Sequence, residues 1–97
     1  NHRGDFPMGV IYDKSKGKTP YVAQISLMDV KAYKIGKFDC PLKAHKAYQE
    51  KKSSYMKEVA KDFYERGEIE YRVYQAINYR ADMIIDDMTS DRITTKI

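Results

Sequence analysis

The residues of this sequence whose types and spacing could do chemistry are lysines and small polar side chains. Lys14, Lys16 and Lys18 recur at every second position, and Gln24 and Ser26 follow with the same spacing. Clustered cations suit contacts with phosphates, and an amide or hydroxyl held on a rigid element suits base edges. This pattern favours nucleic-acid binding.

The charge distribution favours the same interpretation. The chain of 97 residues has a formal charge of +4. Residues 1–52 contain 11 Lys or Arg against 5 Asp or Glu, whereas residues 53–97 contain 7 against 9. A basic front half suggests an anionic partner. The alternative is that lysines such as Lys31, Lys34 and Lys37 are solvated residues that protect a sheet edge from aggregation.

Groups for catalysis or metal binding are sparse. The chain has two histidines, His2 and His45, and the single cysteine Cys40. A zinc site needs three or four convergent ligands, and we expect His45 to face solvent or to flank a sheet. The remaining acidic cluster, Asp86, Asp87 and Asp91, lies in a stretch without clear periodicity. We therefore expect no enzyme activity in this chain, no cofactor, no metal and no small-molecule substrate.

Three strands must position the polar residues. The pattern predicts strands at 8–12, 21–28 and 32–38, with a hairpin turn at 28–31. In the second strand Tyr21, Ala23, Ile25 and Leu27 fall on one face, and Val22, Gln24 and Ser26 fall on the other. In the third strand Ala32 and Lys34 point to this polar face. The prediction is an antiparallel meander with one face left uncovered.

Helices follow the strands. Cys40 occupies the cap position and Pro41 the first helical position, and Ala44, Ala47 and Tyr48 form a stripe that faces the sheet. The helix extends toward Phe63, with a kink or break at residues 53–54 and a stop at Gly67. A second helix is predicted at about 71–79, with an apolar anchor at 83–85 and a frayed tail.

The predicted fold class is therefore α+β, a three-stranded antiparallel sheet packed on a helix and followed by a helical extension. We divide the chain into a lead-in at 1–7, a sheet-and-helix domain at 8–66, and an extension with its tail at 67–97. No apolar run approaches the length of a membrane span, so we expect no membrane contact. The lone cysteine fits a reducing, cytoplasmic setting.

Two segments resemble a known family. The stretch "YKIGKFDCPLKAHKAY" is similar to the core of the ethylene-response-factor (Apetala-two) DNA-binding domain, and the matching residues are Tyr33, Gly36, Phe38, Ala44, Ala47 and Tyr48. Upstream, the matching residues are Gly9, Val10, Gly17, Lys18, Tyr21, Ala23 and Ile25. The later "YERGEIEYRVYQAINYRADMIIDD" is similar to the tail of phage homing endonucleases that carry an HNH nuclease ahead of such a domain.

The resemblance implies a sheet inserted into the major groove of double-stranded DNA. By position, the contacts would come from Ile11 and Asp13, Gln24 and Ser26, and Ala32 and Lys34. The plant family carries Arg and Trp at several of these places, so the plant target sequence is not expected. The resemblance implies the targeting module of a phage or mobile-element endonuclease, in a bacterial or phage-infected cell.

Two other functions stay open. The acidic, tyrosine-rich second half could form a protein-interaction module, including a homodimer through the C-terminal helices, in which the residues of interest are Tyr55, Phe63, Tyr64 and Tyr74. A sheet-and-helix domain with basic loops could also bind double-stranded RNA. Here the helix that follows the sheet lacks a dense lysine N-terminus, which favours DNA.

Overall fold

The computed structural model of the chain describes residues 7–27 and 32–94. Three strands, β1 (Val10–Tyr12), β2 (Tyr21–Ile25) and β3 (Tyr33–Phe38), form an antiparallel sheet in the order β1-β2-β3. Two helices follow, α1 (Pro41–Glu65) and α2 (Tyr71–Thr89). The predicted α+β fold is confirmed. The strands are shorter than predicted, and the predicted turn at 28–31 lies outside the described residues.

The core forms where α1 crosses the inner face of the sheet. Val10, Ala23 and Ala44 are its buried centre, and the half-buried residues packed around it are Tyr21, Ile35, Phe38 and Ala47. Alanine at positions 23 and 44 leaves no side-chain atoms beyond Cβ between helix and sheet, so the two can approach closely. The predicted alanine stripe therefore does face the sheet.

Gly9 is the point of closest approach between the start of the sheet and α1. Its φ of +82° lies in the region that favours glycine. A Cβ built at this position would lie 2.2 Å from a ring carbon of Tyr48, well inside van der Waals contact. Only a residue without a side chain lets the Tyr48 ring cover this backbone, so Gly9 fixes how β1 enters the sheet.

Helix α1 is continuous over 25 residues. The break predicted at residues 53–54 is wrong because Ser53 is buried, and its hydroxyl donates a hydrogen bond of 2.9 Å to the Ala81 carbonyl of α2. The predicted stop at Gly67 is confirmed: its φ is +76°, and the Glu68 N–H donates to the Phe63 carbonyl at 2.9 Å. This is the Schellman pattern of a glycine-ended helix.

Helix α2 returns antiparallel along α1. It continues to Thr89, ten residues beyond the predicted end at Tyr79. Ala81 and Ile84 are buried against α1, and Lys57 of α1 forms a 2.6 Å ion pair with Asp82. The sequence pattern missed this half of the helix because its buried stripe is narrow and its acidic residues interrupt the apolar periodicity.

The segment after α2 folds back on α1 in an arrangement that we call the C-terminal clasp, formed by residues 91–94 with His45 and Gln49. The backbone N–H of Thr94 donates to Nε2 of His45 at 2.9 Å, and Nδ1 of His45 lies 2.8 Å from the Met8 carbonyl oxygen. The Gln49 amide donates to the Arg92 carbonyl and to Oγ1 of Thr94, both at 2.9 Å. The predicted frayed tail is thus wrong as far as Thr94.

His45 is buried, with 2% of its surface exposed, so of the two predicted positions the one facing solvent is wrong. The imidazole is held between the clasp and the start of the sheet, because Nε2 bonds the Thr94 backbone and Nδ1 bonds the Met8 backbone.

The molecule is elongated, with principal extents of 46 × 29 × 20 Å. Its radius of gyration is 14.7 Å, against about 12.5 Å expected for a compact domain of this length. The excess comes from the far half of the α1–α2 hairpin, which extends beyond the sheet. Within the described ranges, neither helix combines the length and the apolarity needed to cross a membrane.

Candidate nucleic-acid interface

The face of the sheet that points away from α1 is here called the outer face. Residues paired across an antiparallel ladder point to the same side of the sheet. Val22 pairs with Ile11 on one side and with Lys37 on the other, and Gln24 pairs with Lys34. These five side chains therefore share the outer face, whereas Val10, Ala23 and their partners point to α1.

An irregularity in β3 sets the cationic part of this face. Ala23 pairs with Gly36 and Gln24 pairs with Lys34, so Ile35 is an extra residue in β3. Strict alternation would put Lys34 and Lys37 on opposite faces. The bulge brings both lysines to the outer face and lets Ile35 pack on the core. Lys37 was not among the predicted contacts. Its place on the outer face depends on the bulge, which is visible in the strand pairing and not in the composition of the sequence.

The predicted contact residues fall into two groups in the structure. Ile11, Gln24 and Lys34 lie together on the outer face, with Ile11 37% exposed and Gln24 half-buried. The others occupy the connections: Asp13, Lys14, Lys16 and Lys18 lie between β1 and β2, Ser26 is exposed just after β2, and Ala32 is exposed just before β3.

Asp13 shapes the β1–β2 connection. Its carboxylate accepts hydrogen bonds from the Ser15 N–H at 3.0 Å and from the Ser15 hydroxyl at 2.6 Å. Its own N–H donates to the Pro20 carbonyl at 2.7 Å. These bonds organise the short 3₁₀ turn at Lys14–Lys16, which carries the loop lysines. The structure therefore gives Asp13 a turn-forming role, and the Asp-x-Ser spacing is the sequence signal for it.

Val22 departs from the prediction. The alternation of β2 placed it on an uncovered face beside Gln24, and its pairing does place it on the outer face. Its exposed fraction is nevertheless only 1%. The prediction that this side chain is uncovered is therefore wrong. Val22 lies at the centre of the outer face but is not accessible, and the accessible surface consists of the residues around it.

Several cations of the helices form ion pairs, whereas the lysines of the sheet side do not. Lys46, Lys57, Arg66, Arg72 and Arg92 all form ion pairs with carboxylates. Within the described part of the chain, Lys14, Lys18, Lys34 and Lys37 form none. The sheet side thus carries positive charge without ion-pair partners, and among the described helix cations Lys51, Lys52, Lys61 and Arg80 share this property.

A cleft opens at the end of the sheet where β2 finishes. Its volume is about 290 Å³, and it is lined by Gly9, Val10, Ile11, Gln24, Ile25, Ser26, Tyr48 and Lys52. It combines apolar walls with an amide, a hydroxyl and an ammonium group. Burial raises the pKa of the Tyr48 phenol, which disfavours its ionisation still further.

Groups that could hold a metal do not converge in residues 7–27 and 32–94. The acidic cluster near the C-terminus is used structurally: the Arg92 guanidinium donates to Asp86 at 2.7 Å and to Asp87 at 3.1 Å. Asp91 pairs with Lys46, which lowers the pKa of its carboxyl group.

Comparison of the chain with protein-family models, with curated proteins and with solved structures finds no match.

Proposed function

We propose that the outer face of the sheet binds double-stranded DNA in the major groove with a preference for sequence. The observation that carries this proposal is that Lys14, Lys18, Lys34 and Lys37, on the outer face and in the connection at its end, form no ion pair within the described residues. Phosphates supply the affinity of such interfaces, and released counterions make that affinity depend on salt.

The side chains of the outer face suit both parts of this task. Gln24 can form paired hydrogen bonds with adenine, and Ile11 can contact a thymine methyl group. Lys14 and Lys18 lie at the tip of the β1–β2 connection, where a backbone phosphate would pass. Half-burial of Gln24 limits its motion, which favours a defined contact over a loose one.

A narrower proposal concerns the setting of this function. The resemblance of the segments around Gly36 and Ala44 to the ethylene-response-factor domain supports a targeting module of a phage or mobile-element HNH endonuclease. The chain itself would then be a binding unit without catalytic activity, in the cytoplasm of a bacterial or infected cell. Its partner would be duplex DNA.

The test is the salt dependence of duplex binding. With about four to six phosphate contacts, the log–log slope of affinity against salt is expected to be about −4 to −5. Replacing Lys14 and Lys18 by Gln should reduce its magnitude by about 1.8, at about 0.9 for each contact. Lys61→Gln is the matched control, because Lys61 is exposed on α1 away from the sheet. Absence of duplex binding at low ionic strength would refute the proposal.

Sequence preference is tested at Gln24. Selection of bound duplexes from a random pool should first yield a preferred site. If Gln24 reads an adenine, Gln24→Ala should lose about 1–3 kcal/mol of discrimination at one base pair only. A uniform loss over all sequences would count against a reading role and leave the phosphate contacts as the whole of the interaction.

A second candidate function has its own observation. On α2, Tyr79 and Met83 are 67% and 51% exposed and, four residues apart, share one side of the helix. Such a pair suits assembly with another chain, including a second copy. Sedimentation over a range of concentrations, with Met83→Glu as the variant, tests it. Association that Met83→Glu abolishes, together with no affinity for duplexes, would favour assembly over DNA binding.

A further inference from the structure

The two ends of the sheet are differently equipped. The connection that carries Lys14 and Lys18 joins β1 to β2 at one end. Because the strands are antiparallel, the start of β1 and the end of β2 meet at the opposite end, next to Ser26. From Pro20 to Ser26 the chain spans six residues, about 20 Å at 3.3 Å per residue.

That length exceeds the width of the groove the sheet would enter. The major groove is about 12 Å wide and is bordered by two sugar–phosphate backbones. A sheet lying across it, with its lysine turn on one backbone, must bring its other end over the second backbone. The second end therefore needs its own cation and its own surface for a sugar.

The cleft at this end provides both. Lys52, on α1, is half-buried at its rim and forms no ion pair within the described residues. The neighbouring Lys51 is engaged differently, with its ammonium group 5.2 Å from the centre of the Tyr33 ring. Ile11 and Ile25 offer an apolar wall. An ammonium group beside a small apolar recess matches a phosphate and its deoxyribose.

We propose that Lys52 and this cleft bind one sugar–phosphate unit of the DNA strand opposite to the strand contacted by Lys14 and Lys18. The inference rests on the proposed function and adds a contact from the helix that backs the sheet. The sequence gives no signal for it, since Lys52 falls in a run of helical lysines and only the fold brings it beside Gln24 and Ser26.

The first experiment measures the salt slope of Lys52→Gln on the selected duplex. We expect its magnitude to fall by about 0.9. Affinity should fall about two- to fivefold on every sequence, the effect of losing one exposed ion contact. Lys61→Gln is the control: nine residues, or about two and a half turns, further along α1, it lies on the opposite side of the helix from Lys52. Both variants should keep the wild-type circular dichroism and melting temperature.

The second experiment locates the phosphate. Single phosphates in each strand are replaced by uncharged methylphosphonates, and the affinity of each duplex is measured. Wild type should lose affinity at a cluster in each strand. Lys52→Gln should become insensitive to replacement at one phosphate of one strand, and the Lys14 and Lys18 variant at phosphates of the other.

The outcomes separate the two proposals. If wild type binds no duplex, the proposed function fails. If wild type binds and Lys52→Gln shows the wild-type slope and the wild-type phosphate profile, the inference is overturned while the proposed function stands. Loss of sensitivity on the same strand that Lys14 and Lys18 contact would also overturn it.

Discussion

Substitution of His45 by alanine should destabilise the fold by about 2–4 kcal/mol. The imidazole accepts a hydrogen bond at Nε2 from the buried Thr94 N–H, so Nδ1 must carry the proton and donate to the Met8 carbonyl. Alanine removes the imidazole and leaves the Thr94 N–H and the Met8 carbonyl without their hydrogen-bond partner. A buried polar group left unpaired costs about 1–3 kcal/mol. Two groups are affected here, and the Met8 carbonyl costs the less of the two because its bond is only part-buried. For a domain whose total stability is typically about 5–15 kcal/mol, this loss is large.

The assay is urea unfolding followed by far-ultraviolet circular dichroism, which reports the two helices. The control is Lys46→Ala at the next position, which breaks the exposed ion pair with Asp91 and should cost much less than His45→Ala, because solvent screens exposed ion pairs. Amide hydrogen exchange adds a local readout, because the Thr94 N–H should be protected in wild type and exposed to exchange in His45→Ala. Equal stabilities of His45→Ala and Lys46→Ala, with unchanged exchange at Thr94, would refute the assignment of the clasp.

Three further predictions concern other parts of the fold. Gly9→Ala should destabilise by about 2–4 kcal/mol in thermal or urea unfolding, because the added Cβ strains a positive φ and overlaps the Tyr48 ring; a neutral effect would contradict the close approach. Ser53→Val should cost about 1–3 kcal/mol by leaving an α2 carbonyl unpaired, whereas Ser54→Val on the exposed side should not. Hydrogen bonding to Lys46 lowers the pKa of Asp91. The ion pair therefore stabilises the fold fully at pH values above the ordinary pKa of an aspartate, and this contribution is lost as the pH falls through the lowered pKa. Asp91→Asn should therefore lower the melting temperature at neutral pH but not in strong acid.

Much of the fold follows from local signals in the sequence. Pro41 marks the start of α1, Gly67 marks its end, and the alternation of β2 identifies a strand. These signals work because backbone restrictions of proline and glycine act within a few residues. The failures are of a different kind. Judged from neighbouring residues alone, Ser53 disfavours a helix. In the fold its hydroxyl bonds to the Ala81 carbonyl of α2, which favours a continuous α1.

The candidate interface shows the same division. The types of Lys14, Lys18 and Gln24 could be read directly, and their placement around the outer face follows the predicted meander. The common face of Lys34 and Lys37 depends on a bulge, which inserts one residue without a compositional mark. Burial of His45 depends on a segment 49 residues away, and no periodicity within a helix encodes such a distance.

The clasp also has a consequence for the lifetime of the native state. His45 joins Met8 and Thr94, which lie 37 and 49 residues from it along the chain. Closing loops of that length costs conformational entropy, which is offset only once other contacts hold the chain together. We therefore expect these bonds to form after the helices and sheet have assembled. Bonds absent from the folding transition state act on the unfolding rate alone. Residues 91–94 would then govern how long the molecule stays folded, while leaving the speed of folding to the sheet and the helical hairpin.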